Sequence, residues 1–229
     1  MAKVFRRHGY HHGNLREALV AAARRLIAER GPAGFTLIEA ARLAGVSAAA
    51  PYRHFKDRDA LLAEVARRGF EEFAGRLAAA WDGAERDPKA AFLRMGEAYL
   101  AFAREEPGYY SAMFASVPAA LKRRPRKGGA FAALENAVAE VTADRGTTLD
   151  ARLLAYQVWA LSHGLATLAA AGHLPGQDAR LSPAALLREG VGALIAGAGR
   201  ARGATAAGAR PSRRVAQAPP RRRAAPGRR

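Results

Sequence analysis

Apolar residues recur every three or four positions along most of residues 14–197, the spacing of one face of an amphipathic helix. The first such run follows Asn14, an N-cap residue with Glu17 three positions on, and it stops at Gly31. A first helix is therefore predicted between these points. Its apolar positions are Leu15, Leu19, Ala22, Leu26 and Ile27.

The next stretch, TLIEAARLAGVSAAAPYRHFKDRDALL, has the pattern of two short helices joined by a tight turn and followed by a third. Thr36 and Glu39 have the spacing of a capping box, which predicts a helix start. Gly45 marks the turn, where a positive φ is expected. Ser47 is a second N-cap residue and predicts a helix over about residues 48–53, the recognition helix of a helix-turn-helix motif.

Six more amphipathic stretches follow, and the first of them is capped by Asp57. In that stretch Phe70 and Phe73 are expected on the buried side, because an apolar stripe on a helix usually packs. The six predicted helices run over about residues 57–81, 88–104, 107–118, 130–143, 150–171 and 182–197. The segment PAALKRRPRKGGAF is predicted to be a loop. The predicted fold is all-α, with about nine helices.

The spacing of Ala41, Gly45 and Val46, followed by PYRHFKDRDALL, resembles the DNA-binding domain of the tetracycline-repressor (TetR) family of bacterial regulators. The resemblance covers about the first 60 residues. It implies an all-helical homodimer, usually a repressor, with a small amino-terminal DNA-binding domain and a larger domain for ligand binding and dimerisation. The WALSHG segment, with Trp159 and His163, resembles a Trp-x-x-x-His-Gly feature in the carboxy-terminal domain of one TetR subgroup.

Four parts are predicted: a basic arm over 1–13, a DNA-binding head over 14–60, a ligand-binding and dimerisation body over 61–197, and a tail over 198–229. Residues 1–60 carry eleven Lys and Arg against five Asp and Glu, the body sixteen against fifteen, and the tail ten against none. A basic head on a neutral body fits phosphate binding by the head. The Arg-rich tail is expected to be disordered, either simply solvated or adding non-specific DNA affinity.

Composition narrows the functional classes further. The chain has no cysteine, no run of 18 uncharged apolar residues and no signal-peptide pattern, so we expect a cytoplasmic protein without membrane contact. No HExxH, GxSxG or glycine-rich phosphate loop occurs, and we expect neither an enzyme nor a cofactor. The histidines His8, His11 and His12 lack a local carboxylate or cysteine, so phosphate contact is favoured over a metal site.

An architectural, non-specific DNA-binding protein is the alternative, since the basic arm and tail would suit it. The helix-turn-helix and the large neutral body argue for a regulator instead.

The family resemblance assigns two kinds of DNA contact to the head. Residues expected to hold phosphates and position the head are Thr36, Tyr52, His54, Lys56 and Arg58. Base reading is expected from Ser47, Ala48, Ala49 and Arg53, where the alanines sense little beyond thymine methyl groups and Arg53 can contact guanine in bidentate fashion. Pro51 departs from the aliphatic residue usual in the family and removes a backbone donor.

Aromatic and methionine side chains gather in the predicted fifth to eighth helices, in a family whose bodies usually form ligand cavities. We expect a small, mostly apolar effector to bind there and lower operator affinity. Core packing is the competing explanation for each residue, and His163 is open to a ligand-contact, general-base or structural reading. The expected ligand-binding residues are Phe92, Met95, Tyr99, Phe102, Tyr110, Met113, Phe114, Trp159 and His163.

Overall fold

The computed structural model describes residues 15–115, 129–143, 150–175 and 178–208, with side chains through 197. Within these ranges the chain forms eight α-helices and two short 3₁₀ helices and no strand, which confirms the all-α prediction. The α-helices are α1 Leu15–Arg30, α2 Leu37–Leu43, α3 Arg58–Trp81, α4 Pro88–Glu105, α5 Pro107–Met113, α6 Ala130–Ala143, α7 Ala151–Ala170 and α8 Pro183–Gly208. The 3₁₀ helices are Ala50–Arg53 and Ala179–Leu181.

The head forms around its own hydrophobic core, built from α1, α2 and the first turns of α3. Leu19, Phe35 and Leu61 are at most 2% exposed at its centre. The predicted capping box is confirmed, because the Thr36 hydroxyl accepts a bond from the Glu39 amide and the Glu39 carboxylate accepts one from the Thr36 amide. Gly45 turns the chain after α2 with a φ of 73°, as expected.

The predicted recognition helix differs from expectation in both type and length. Residues 48 and 49 form a turn, and only Ala50–Arg53 is helical, as a 3₁₀ helix whose N-cap, Ala49, makes no side-chain cap bond. The prediction that Ser47 caps a helix over residues 48–53 is therefore wrong; its carbonyl oxygen instead accepts a bond from the Ala50 amide at 3.0 Å. Pro51 supplies the reason, since it has no amide hydrogen to donate within an α-helix.

The body is a second helical cluster, in which α4, α6, α7 and α8 pack with the carboxy-terminal half of α3. Asp57 caps α3, as predicted, Asp150 caps α7, and the Ser182 hydroxyl accepts a bond from the Ala185 amide at the start of α8. At 24 residues α3 is about 36 Å long, since an α-helix rises about 1.5 Å per residue. It is therefore long enough to contribute to both cores.

Helix α5 lies against both α1 and α3 and so forms the second connection between head and body. At its start Gly108 approaches α1 so closely that a Cβ would overlap the Arg24 carbonyl oxygen. On α3, Gly69 faces Met113 of α5, and a Cβ there would lie 3.0 Å from the Met113 side chain. Small residues at both crossings let the short helix pack tightly between the two domains.

Three further expectations differ from the structure or fall outside it. Phe70 is 37% exposed rather than buried, although Phe73 on the same helix is buried as predicted. Helix α8 continues to Gly208, eleven residues beyond the predicted end, so the predicted tail begins with helix. The basic arm over 1–13, Asn14, most of the predicted loop after Pro118 and the tail after residue 208 lie outside the described residues.

Candidate functional site

The exposed face of the head presents the predicted DNA-contacting side chains on the segment that follows the turn. Pro51 and Phe55 are buried and hold this segment against the head core. The side chains between and beside them point outward, and the exposed residues include Tyr52, at 58%, and Arg53, His54 and Lys56. Ser47, Ala48 and Ala49 are exposed as well. The structure thus brings seven of the nine predicted DNA-contacting residues to one short surface segment.

Thr36 is exposed but is also engaged within the head. Its hydroxyl lies 3.0 Å from Glu39 Oε2 and accepts the Glu39 amide at 3.1 Å. Glu39 in turn accepts a bond of 2.8 Å from Arg30, and these hydrogen bonds lower its pKa. A phosphate oxygen near the start of α2 would therefore meet a carboxylate as well as the hydroxyl. The prediction that Thr36 holds a phosphate remains untested.

Arg58 is held inside the head by three partners. Its guanidinium donates to the Phe35 carbonyl at 3.1 Å, to the Pro32 carbonyl and to the Asp59 carboxylate at 2.7 Å, and it lies 5.0 Å from the Phe35 ring centroid. These contacts tie the start of α3 to the chain that leads into α2. A phosphate contact by Arg58 stays a prediction, and it would compete with these partners.

The body contains an apolar cavity of about 50 Å³ between α3, α4, α6, α7 and α8. Four of the nine predicted ligand residues line it, namely Phe92, Met95, Tyr99 and Trp159. Sequence reasoning missed the wall residues of α3, α6 and α8, because helical spacing identifies an apolar face without identifying the helices that it meets. The missed wall includes Phe73, Leu77, Phe131, Leu134, Leu187 and Val191.

The other five predicted ligand residues do not line the cavity. Phe102 and Met113 are buried in the body core, at 0% and 8% exposure. Tyr110, Phe114 and His163 form a separate group, named here the His163 cluster, in which the Tyr110 hydroxyl lies 2.7 Å from His163 Nδ1 and the Phe114 ring lies 4.3 Å from the imidazole. Core packing therefore explains two of the five, and three belong to this neighbouring cluster.

Tyr99 connects the cavity with the His163 cluster. It lines the cavity, is 6% exposed, and its hydroxyl lies 3.4 Å from His163 Nδ1. Burial raises the pKa of Tyr99 and of Tyr110 and lowers the pKa of His163 below its usual value. All three groups are therefore neutral near pH 7, and the cluster offers hydrogen bonds rather than charge.

At one edge the cavity is bordered by a pair of opposite charges, Glu97 on α4 and Arg188 on α8. Their side chains are each 57% exposed and lie 3.5 Å apart. Leu93, at 38% exposure, borders the same edge. We call this edge the mouth of the cavity, because its lining residues include the most exposed ones.

Among the described residues, no three His, Asp or Glu side chains are grouped as a metal site would require. The histidines His8, His11 and His12 lie outside these residues. No helix in the described ranges combines the length and the apolar character that a membrane crossing needs.

Two family profiles match this chain. Residues 19–65 match the family described as bacterial regulatory proteins, tetR family, and residues 92–194 match the tetracyclin repressor-like C-terminal domain. None of the curated proteins matches it. A protein of unknown function from Rhodococcus sp. RHA1 is similar in structure, with 32% identity and a TM-score of 0.63 over 85% of this chain and 98% of that one.

Two solved TetR-family regulators also share the fold. PfmR from Thermus thermophilus is 18% identical with a TM-score of 0.57, over 78% of this chain and 97% of that one. A regulator from Bordetella parapertussis 12822 is 18% identical with a TM-score of 0.57, over 80% and 95%. With the head and body each matched by a profile of the same family, the chain belongs to the tetracycline-repressor family of DNA-binding transcription regulators and is not an enzyme.

Proposed function

We propose that this protein is a homodimeric, cytoplasmic repressor that leaves its operator when a small, mostly apolar effector enters the cavity of the body. The proposal rests on one observation: helix α3 contributes side chains both to the head core and to the cavity wall of the body. Leu61 and Val65 of this helix are fully buried in the head core, and Phe73 and Leu77 form part of the cavity wall. A ligand that moves the wall therefore acts on a helix that is also a structural part of the head.

Helix α5 supports the same coupling through neighbouring side chains. Tyr109 packs toward the head, where the Arg24 guanidinium lies 5.0 Å from its ring centroid, and Arg24 also bonds Glu106 at 3.0 Å. Tyr110 points toward the body and bonds His163. A displacement of α7 or of Tyr99 can thus be transmitted to α1 through the turn of α5 that carries Tyr109 and Tyr110.

The small volume of the cavity supports a conformational switch. Sites for drug-sized ligands usually enclose about 300–1,000 Å³, whereas this cavity measures about 50 Å³. An effector of that size must therefore push its walls apart, and Phe73 and Leu77 on α3 are among the walls. Only a ligand that prefers the widened conformation shifts the equilibrium toward it.

For the head, we infer that Tyr52, His54 and Lys56 hold phosphates and that Arg53 reads a base in the major groove. Pro51 and Phe55 are buried, and the four side chains beside them are exposed on one surface, which supports a shared role in DNA contact. Thr36 and Arg58 contribute phosphate contacts beside their internal ones. Ser47, Ala48 and Ala49 face the bases, and in a dimer the two segments lie about 34 to 36 Å apart to enter successive major grooves.

An exposed apolar face on α7 and a row of small residues on α8 support the dimer. Leu153, Tyr156 and Leu168 are 58%, 51% and 43% exposed, a large apolar area for a solvent-facing helix. On α8, exposed Gly192 and Ala193 allow a partner backbone to approach closely. From the sequence positions of Trp159, His163 and Gly164 we also infer membership of the Trp-x-x-x-His-Gly subgroup.

The experiment that tests the proposal begins with selection of a specific site from random duplex DNA. Small molecules are then screened by thermal shift, and hits are titrated with and without the selected duplex. We expect a hit to weaken operator binding and the operator to weaken binding of the hit by the same factor, as linkage requires. Equal ligand affinity with and without operator contradicts the switch, and uniform binding to every duplex favours an architectural protein.

A further inference from the structure

The walls of the cavity and its mouth differ in chemistry, and the difference indicates a ligand class. From the apolar walls and the single arginine at the mouth, we infer that the cavity takes an amphipathic monoanion: an apolar chain or ring that enters the cavity and a carboxylate that binds Arg188. This inference rests on the proposed effector function and specifies the chemistry of that effector.

Two polar groups that line the cavity already have partners within the protein. The Ser162 hydroxyl donates to the Val158 carbonyl at 2.8 Å. The Tyr99 hydroxyl also lies 3.4 Å from His163. A polar ligand group placed at this depth would have to break such bonds without gaining charge recognition, so the deep part favours apolar atoms.

At the mouth, by contrast, a polar partner can be exchanged at small cost. Glu97 and Arg188 are more than half exposed, and an ion pair of this exposure contributes about 1 kcal/mol or less. A guanidinium presents five N–H donors in a fork that matches a carboxylate in bidentate fashion. A ligand carboxylate can therefore replace or join Glu97 on Arg188 while its apolar part stays between Leu187 and Phe92.

The sign of the ligand charge follows from the chemistry of the mouth. Arg188 is the only cation and Glu97 the only anion among the residues that line the cavity in the described part of the chain. Of the two, only the Arg188 guanidinium presents the paired donors that a carboxylate binds in bidentate fashion.

The test uses three eight-carbon probes of equal chain length: octanoate, octan-1-ol and octylammonium. Trp81 and Trp159 are the two tryptophans, so a Trp81→Phe background leaves the fluorescence of Trp159 in the cavity wall as the readout. The variants are Arg188→Gln and Glu97→Gln, with Arg180→Gln as the matched control because Arg180 is 89% exposed and does not line the cavity. Circular dichroism verifies that each variant is folded.

We expect octanoate to bind most tightly, Arg188→Gln to weaken octanoate up to about fivefold without changing octan-1-ol, and Glu97→Gln to strengthen octanoate by a similar factor. The control should change nothing. If octylammonium binds most tightly and Glu97→Gln abolishes its binding, the inferred negative charge of the ligand is wrong. The inference is also wrong if Arg188→Gln leaves octanoate binding unchanged, or if octanoate does not change the fluorescence of Trp159. Those results leave the proposed function standing; a cavity ligand that leaves operator affinity unchanged overturns the function itself.

Discussion

The head and the body are both helical, but they use their cores differently. In the head, the largest side chains are fully enclosed, with Phe35 at 2% and Leu19 and Leu61 at 0% exposure. In the body, the core includes a cavity, a half-buried tryptophan and a polar cluster beside it. The packing of the head favours one shape, whereas the body retains room to rearrange, and α3 and α5 link the two.

The largest effect is expected from Phe35→Ala, because this ring is buried in the head core and also lies under Arg58. Truncation of a buried phenylalanine costs about 3–5 kcal/mol, so the head should lose its fold before the body does. Chemical denaturation followed by circular dichroism, with DNA binding measured in parallel, checks this. A loss below about 1 kcal/mol would show that the head core is not tightly packed.

Gly108→Ala tests the close contact between α5 and α1, which connects the body with the head. The new Cβ would overlap the Arg24 carbonyl oxygen, and overpacking typically costs about 1–3 kcal/mol. We expect lower stability and altered operator affinity, because α5 must move away from α1. Gly75→Ala on α3 is the matched control: nothing lies within 4 Å of its Cβ, and alanine should stabilise the helix by about 0.5–1 kcal/mol. Equal effects of both variants would contradict the close approach.

Arg53→Ala addresses specificity and leaves the core of the head intact. Arg53 is exposed next to buried Pro51, so the fold should be unaffected. We expect the loss of about 1–3 kcal/mol of discrimination at one base pair per half-site. Binding to a panel of single-base operator variants measures it. A uniform loss across all sequences would make Arg53 a phosphate contact instead.

The charge network on α3 makes the stability of the head dependent on pH. Hydrogen bonds from Arg67 and Arg68 lower the pKa of Glu64 to about 2, and Arg16 lies 3.3 Å away on α1. Because the folded pKa lies below the usual value, this stabilisation is complete above about pH 4.5 and is lost as the pH falls toward 2. Glu64→Gln should cost about 1–2 kcal/mol at pH 7, after allowance for solvent screening.

Denaturation between pH 2 and 7 checks this prediction. The Glu64→Gln variant should approach the wild type as the pH falls, and a constant difference would contradict it. Glu29→Gln, whose partner Arg25 is 70% exposed, is the control and should change stability little at either pH.

The smallest effect is expected from Tyr110→Phe. The change removes the hydroxyl that bonds His163 at 2.7 Å and keeps the ring packed against Phe114. A neutral hydrogen bond contributes about 0.5–1.5 kcal/mol, so stability should fall slightly. If this bond carries part of the coupling, effector and operator should also antagonise each other less, which reciprocal titration measures. Unchanged coupling would leave α3 as the main link.

Local features were predictable from sequence because they depend on neighbours along the chain. The capping box of Thr36 and Glu39 needs only three residues, and the positive φ of Gly45 follows from the missing Cβ. The N-cap role of Asp57 was likewise correct. The recognition helix differs from its prediction because the general pattern of the motif does not include a proline, and Pro51 lacks the amide donor that an α-helix needs at this position.

The cavity and its mouth depend on the tertiary structure. Helical periodicity showed that α3, α4, α6, α7 and α8 each have an apolar face, but any of these faces can pack against any other. Only the fold brings Leu77 and Leu187 opposite Phe92, moves Phe102 and Met113 into closed packing, and places Arg188 next to Glu97. The sequence by itself therefore determined most of the helices, the caps at Thr36 and Asp57, and the family, whereas long-range packing decided which side chains share a site.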